Sequence, residues 1–267
     1  MGADIKSLRN RIKSVDSTLH LTKAMGLVAS SKIRRATDAM LKSREYAAAM
    51  ENLVDMLTQS PECAKSPFMA VRDTQRTRII VIAGDRGLAG GYNANIFRFA
   101  KEYPDAEFIP IGKRACDRFA GERYMAEQFS SLDAFNMAEM LCSDFASGKF
   151  DRLGIISTEY ISMLTQQVQI RWLLPLCKSE QSEQKSVLFE PDEITILNTA
   201  VTEYVSGILV ACVRESFASE VAARRCAMDS AGKNAQEMID SLQLQYNRAR
   251  QGAITQEITE IVAGSGI

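Results

Sequence analysis

Proline is missing from both ends of this chain. All six prolines (Pro61, Pro67, Pro104, Pro110, Pro175 and Pro191) fall in the middle, so both ends are free to be uninterrupted helix and turns concentrate between them. Histidine is nearly missing too: His20 stands alone in a helical run, which excludes any Ser-His or Cys-His site that does not use it. The six cysteines (63, 116, 142, 177, 212 and 226) form no CxxC, so an ordinary zinc site is excluded and reduced thiols are expected. No unbroken apolar run of 18 residues is visible, and no transmembrane span is expected. The opening MGADIKSLRNRIKS carries acids and no apolar core, against a signal peptide. What is left is ordinary: 267 residues, 46% hydrophobic, 24% charged, formal net charge −1. That leaves room for one domain of typical size plus something extended.

The extended part is legible at both ends. Leu197 to Val262 runs 66 residues without a proline, about 100 Å if helical. Its apolar or small positions recur three and four apart: Met228, Ala231, Ala235, Met238, Leu242, Tyr246, Ala249 and Ala253. A helix so long needs a partner. At the other end Ile5, Leu8, Ile12, Val15, Leu19, Thr22, Gly26, Ala29, Ile33, Ala36, Met40, Ser43, Ala47, Met50, Val54 and Leu57 alternate three and four apart. Thirteen of these sixteen are apolar, which decides for a coiled-coil seam with a left-handed supercoil. Thr22, Gly26 and Ala29 form a small-residue stretch where a partner helix can come close, and Gly26 costs about 1 kcal/mol in helix propensity.

The two helices have the lengths to pair with each other, antiparallel, since the middle of the chain joins their inner ends. Opposed positions then sum to about 255, with Met25 near Ser230, and residues beyond about 253 project without a partner. That overhang holds Ile254, Ile258, Ile261 and Val262, an apolar tip in need of some other surface. Residues 1–45 carry ten Lys or Arg against four acids. Either this is a solvated face or it meets an acidic partner. Tyr46 is the only aromatic before Phe68, and without interleaved aromatics nucleic acid is disfavoured against protein.

Between the helices the pattern changes. Residues 78–83 (RIIVIA) read as a buried strand, 84–93 (GDRGLAGGYN) as a glycine-rich turn into a helix over 94–103, and 107–111 (EFIPI) as a second strand. Helices are expected over 113–124 and 132–148, a strand over 153–160, and an antiparallel edge strand over 167–174. Strand alternating with helix implies a mostly parallel, Rossmann-like α/β sheet. The expected domains are therefore an N-terminal helix over 1–58, a polar linker over 59–75, an α/β domain over 76–191 ending after a polar loop at 178–186, and a C-terminal helix over 192–267. Strand, glycine turn and helix suggest phosphate binding, but no Lys-Ser/Thr closes the loop, and GxxGxxGG is not the dinucleotide spacing. Gly84, Gly87, Gly90 and Gly91 are expected to serve a tight turn and close packing, with Asp85 and Arg86 pairing locally or with an adjoining subunit. No cofactor, metal or catalytic residue is expected.

Three segments together resemble one family: LTKAMGLVASSKIRRA (21–36), GDRGLAGGYN (84–93) and the end from 215 to 264, ESFASEVAARRCAMDSAGKNAQEMIDSLQLQYNRARQGAITQEITEIVAG. They are similar to the gamma subunit of F-type ATP synthases. The resemblance implies a central rotor shaft: an antiparallel coiled coil inside a ring of three alpha and three beta subunits. The α/β foot would then be bound by epsilon and the c-ring. It implies beta-subunit contacts at Arg250, Gln251 and Thr255, and at Lys23, Met25, Lys32, Arg34 and Arg35. The tip would turn in an apolar sleeve, and Glu190 would lie where the foot meets its neighbours. It implies no nucleic acid, no homo-oligomer, and membrane contact only through the c-ring. The place implied is the cytoplasmic face of a bacterial inner membrane, since no transit peptide or redox insertion is seen. Gly26 departs from the longer residue usual there, and Ala89 stands where the family often has Cys. Two other readings stay open on the residues alone: a nucleotide-binding α/β enzyme with helical dimerisation arms, and a homodimeric coiled-coil scaffold.

Overall fold

The computed structural model describes residues 2–72, 76–178 and 189–265. Its elements in chain order are α1 (Gly2–Thr58), β1 (Thr77–Ile82), α2 (Tyr92–Ala100), β2 (Glu107–Ile111), α3 (Lys113–Cys116), α4 (Ser131–Ala146), β3 (Arg152–Tyr160), β4 (Gln166–Leu174) and α5 (Glu193–Ser265). They fall into two compact units, one of residues 2–30 with 224–265 and one of residues 31–223. The expected polar loop at 178–186 lies, beyond Lys178, outside the described residues.

In the larger unit the sheet order is β2-β1-β3-β4. β1 runs parallel to both β2 and β3, and β4 is antiparallel to β3, as the alternation of strands and helices led us to expect. β1 shows why its sequence is apolar throughout. Ile79 and Val81 pack with Ala89, Tyr92 and Ile96 on one face. Ile80 and Ile82 pack with Leu141 and Phe145 of α4 and with Leu197–Val213 of α5 on the other. A strand covered on both faces cannot alternate with polar residues. The α1 seam joins that second core through Ala47, Val54 and Leu57, and Tyr46 of α1 closes over Gly207, where a Cβ would lie 2.7 Å from its ring.

The helix ends follow local chemistry. α1 stops just before Pro61, with the Thr58 hydroxyl donating to the Asp55 carbonyl at 3.0 Å. α5 begins at Glu193, one residue after the expected boundary, because Asp192 caps it: its carboxylate accepts from the Thr195 amide at 2.8 Å and hydroxyl at 2.9 Å. Those bonds hold the Asp192 carboxyl below its ordinary range. α4 carries a reciprocal cap between Ser130 and Asp133.

Two expectations are corrected. The helix expected over 113–124 is only Lys113–Cys116, because Gly121 takes φ +153° and the chain turns to bring Tyr124 beside Ile111. The segment 59–72 is not a bare polar linker: two short 3-10 turns, Glu62–Lys65 and Pro67–Met69, place Cys63 and Phe68 in the core. α5 also holds an 18-residue window of mean hydropathy 1.6, apolar and long enough to cross a membrane by length and composition alone. In the fold 67% of that window is buried inside the molecule.

The smaller unit is a helix pair. Gly26 faces Met228 and Thr22 faces Gly232, pairs whose numbers each sum to 254, so the strands of the pair run antiparallel and within one residue of the expected register. On α1 the seam positions Leu19, Thr22, Gly26 and Ala29 are all buried. On α5 two seam positions differ from expectation. Met238 is 45% exposed and its neighbour Ile239 is turned inward; Gly232 rather than Ala231 faces Thr22. The seam thus runs 228, 232, 235, 239, 242, 246, 249, 253, a strict alternation of four and three.

Candidate functional site

The glycine turn after β1 is a packed junction. Gly84 is buried against α5, and a Cβ there would lie 2.7 Å from the Glu220 side chain. The Gly84 amide donates to the Asn93 side chain at 2.9 Å. Asp85 is 7% exposed, and its carboxylate accepts from the backbone amides of Lys113 and Ala126 at 3.0 Å and of Glu127 at 2.8 Å. One carboxylate thereby ties the ends of β1, β2 and the 126–128 turn together. Gly90 takes φ +58° and Gly91 opens α2. Leu88, which is not glycine, takes φ +61° and is 63% exposed. Arg86 reaches Glu127 at 3.5 Å, and Lys32 of α1 pairs with the same carboxylate. Asp85 and Arg86 are therefore both engaged within the chain.

Sequence reasoning missed two supports of this junction. At Gly112 φ is +93° and a Cβ would sit 1.9 Å from the Ala83 carbonyl oxygen, so no other residue fits the crossing of β1 and β2. Its signal was a glycine directly after a strand. Glu127, holding two cations at once, gave no local signal, because its partners lie 41 and 95 positions away in sequence.

On the helix pair, Lys23 is exposed and Met25 half-buried beside the Gly26 crossing. Arg34 and Arg35 are exposed. Glu190 is exposed at the entry to α5. At the far end of α5, Arg250 and Gln251 are exposed, and the Thr255 hydroxyl donates to the Gln251 carbonyl at 2.9 Å. Ile254, Ile258, Ile261 and Val262 are 47%, 56%, 68% and 63% exposed. These isoleucines do not continue the seam. The next seam positions after Ala253 are Gln256 and Glu260, which bond to each other at 2.8 Å. Ile254 and Ile261 lie one residue further on, a rotation of about 100°. The apolar face of α5 changes direction where α1 ends.

The thiols belong to the packing. Burial pushes the Cys142 thiol up to about 11, against a smaller downward pull from Thr202, and burial raises Cys212 as well. Among the described residues no group of His, Cys, Asp and Glu is arranged to hold a metal. The geometry of this chain offers surfaces and a packed junction.

Comparison with known proteins agrees along the whole chain. A family model described as ATP synthase matches residues 4–266. The ATP synthase gamma chain of Ruminococcus albus is 38% identical over 281 residues, covering 98% of each chain. A sodium ion specific ATP synthase gamma chain of Acetobacterium woodii is 35% identical over 298 residues, covering 99% of each. In fold, a chain of the Euglena gracilis mitochondrial ATP synthase, solved as OSCP/F1/c-ring in rotational state 3, superposes with a TM-score of 0.69. It is 19% identical, and 99% of this chain and 94% of that one are covered. The match is continuous through both long helices and the inserted sheet, and the chain belongs to the ATP synthase gamma-chain family.

Proposed function

We propose that this chain is the central rotor shaft of an F-type ATP synthase, coupling ion-driven rotation of a c-ring to nucleotide cycling in the beta subunits. As a gamma chain it is a non-catalytic subunit of that complex. The observation that carries the reading furthest is the end of α5. It outruns α1 and turns three exposed isoleucines away from the seam, a surface suited to an apolar sleeve at the top of the ring. Arg250, Gln251 and Thr255 sit just beneath it as the upper beta contact. Lys23, Met25, Lys32, Arg34 and Arg35 form the lower one. Lys32 reaches that role only by sharing itself with Glu127. Glu190 and the foot around it meet epsilon and the c-ring, and the complex sits peripherally on the cytoplasmic face of a bacterial inner membrane.

The mechanism needs no reacting group on the shaft. A ligand or partner shifts an equilibrium only by its differential free energy for the two states, and a shaft whose sides differ presents each beta subunit with a different contact at each angle. Rotation then cycles each subunit between open and closed states, with coupling reciprocal between rotor angle and nucleotide affinity. Purification with matching alpha and beta subunits tests this: a complex with one gamma chain hydrolyses ATP, and the gamma chain alone neither hydrolyses nor binds it. Arg250→Ala with Gln251→Ala should weaken assembly or turnover; unchanged ATPase in the reconstituted ring would remove those residues from the contact.

A further inference from the structure

In the larger unit the core face of the sheet turns polar partway along β3. Leu153 and Ile155 belong to the core. The next residues on that face are Ser157 and Glu159, and β4 sets Arg171 across from Ile155 and Gln169 across from Ser157. α1 and α5 pass over this stretch without filling it, and a cavity of about 400 Å³ is left between them and the two strands. The helices meet it with Ala47, Ala48 and Ala211, whose methyl groups are too short to close the space. Its volume falls among those of small-molecule sites.

Five charged side chains line the cavity, and four of them are paired. Arg44 bonds to Glu215 and donates to the Tyr160 carbonyl at 3.0 Å, while Glu215 also accepts from the Tyr160 amide at 2.9 Å. Arg171 bonds to Glu51. Glu159 is the fifth, and among the described residues it makes no ion pair and its carboxylate accepts no hydrogen bond. The lining thus carries three carboxylates against two guanidiniums, an excess of one negative charge. A cation suits that excess, but a single carboxylate is too few to ligate a metal ion. What fits is an organic cation, whose charged head bonds to Glu159 and whose short aliphatic stem lies against the alanine methyls.

We infer that this cavity is a binding site for a small organic cation, an alkylguanidinium or alkylammonium, with its charged end on Glu159 and its stem along Ala47, Ala48 and Ala211. The site is separate from the partner contacts proposed above and exists whether or not the chain turns inside a ring. A cation bound there touches α1, β3, β4 and α5 at once, and so ties both long helices to the sheet.

The test is a thermal melt of the full chain with butylguanidinium, butylammonium or butylurea at constant ionic strength. Butylurea has the shape of butylguanidinium without its charge. Either cation, at ten times its half-saturating concentration, should raise the melting temperature by about 3–6 °C, whereas butylurea and equal concentrations of sodium or magnesium chloride should not. Glu159→Gln should weaken cation binding about fivefold or more. Ala48→Leu, at an exposed helix position, should block the space and weaken binding as much with Glu159 intact. Neither substitution should move the melting temperature of the ligand-free chain by more than about 2 °C. No saturable shift with either cation, an equal shift with butylurea or with either salt, or unchanged binding in either variant would overturn the site. So would loss of calorimetric binding once the chain is assembled with its partner subunits, which would give the cavity to a side chain of another subunit.

Discussion

Along α5 the same helix serves two opposite purposes. Near its start Leu197, Val201, Val205, Ile208 and Leu209 are 0% exposed, closed in by the sheet and by α4. Near its end Ile254, Ile258 and Ile261 are about half exposed or more. The residue types are alike, so type does not decide the role. In the first stretch apolar side chains hold the molecule together. In the second they add little to its stability, and a substitution there should register only in the assembled complex.

That contrast can be broken by substitution, and the largest effects are expected in the larger unit. Phe145 is fully buried, stacked near Phe68 and edge-on to Phe150. Phe145→Ala should cost about 3–5 kcal/mol by chemical denaturation. Asp85→Ala should cost about 1–3 kcal/mol for each buried amide left without an acceptor, and proteolysis should report loosening of the 126–128 turn.

A smaller effect depends on pH. Hydrogen bonds from Lys149 and Arg78 hold the Asp144 carboxyl below its ordinary range, against a smaller upward pull from burial. A carboxylate depressed in the folded state stabilises fully above its unfolded value, near 4, and loses that contribution as pH falls through the folded value. Asp144→Asn should therefore destabilise at pH 7, and its gap to wild type should close below about pH 4 in melts across the range. The smallest effect is expected at the tip: Ile258→Asp should change the stability of the isolated chain by no more than about 0.5 kcal/mol. If that substitution instead cost several kcal/mol, the tip would be part of the chain's own packing and the contrast along α5 would collapse.

Most of the architecture was legible in the sequence because it rests on periodicity. The α1 seam reads directly, and the antiparallel register came within one residue from helix lengths alone. The parallel sheet with its antiparallel edge followed from apolar runs alternating with helical stretches. What could not be read depends on contacts far apart in the chain. Nothing local says that Cys63 and Phe68 are core residues in an otherwise polar segment. A three-and-four count through 235, 238 and 242 suits Met238 as well as its neighbour, and only the approach of α1 at Gly232 turns Ile239 inward. Asp85 is expected from the sequence to pair locally or with an adjoining subunit, whereas the three amides it accepts from are 28, 41 and 42 positions away. The proposed sites were legible only in part. Exposure of the tip followed from lengths, whereas the cavity beside Glu159 needs both helices and two strands to exist at all.

The change of face at residue 253 has a consequence for the length of the chain. Extending α1 backwards by two turns would not shelter the isoleucines: the added residues would come down on Gln256 and Glu260. The tip is out of phase with the rest of its own helix by the angle of one residue. Removing Gly252 would take out that angle, swinging Ile254 and Ile261 into line with Ala249 and Leu242. In the natural chain that one residue of offset points the apolar side chains of the last three turns off the line of the seam, available to turn against something else.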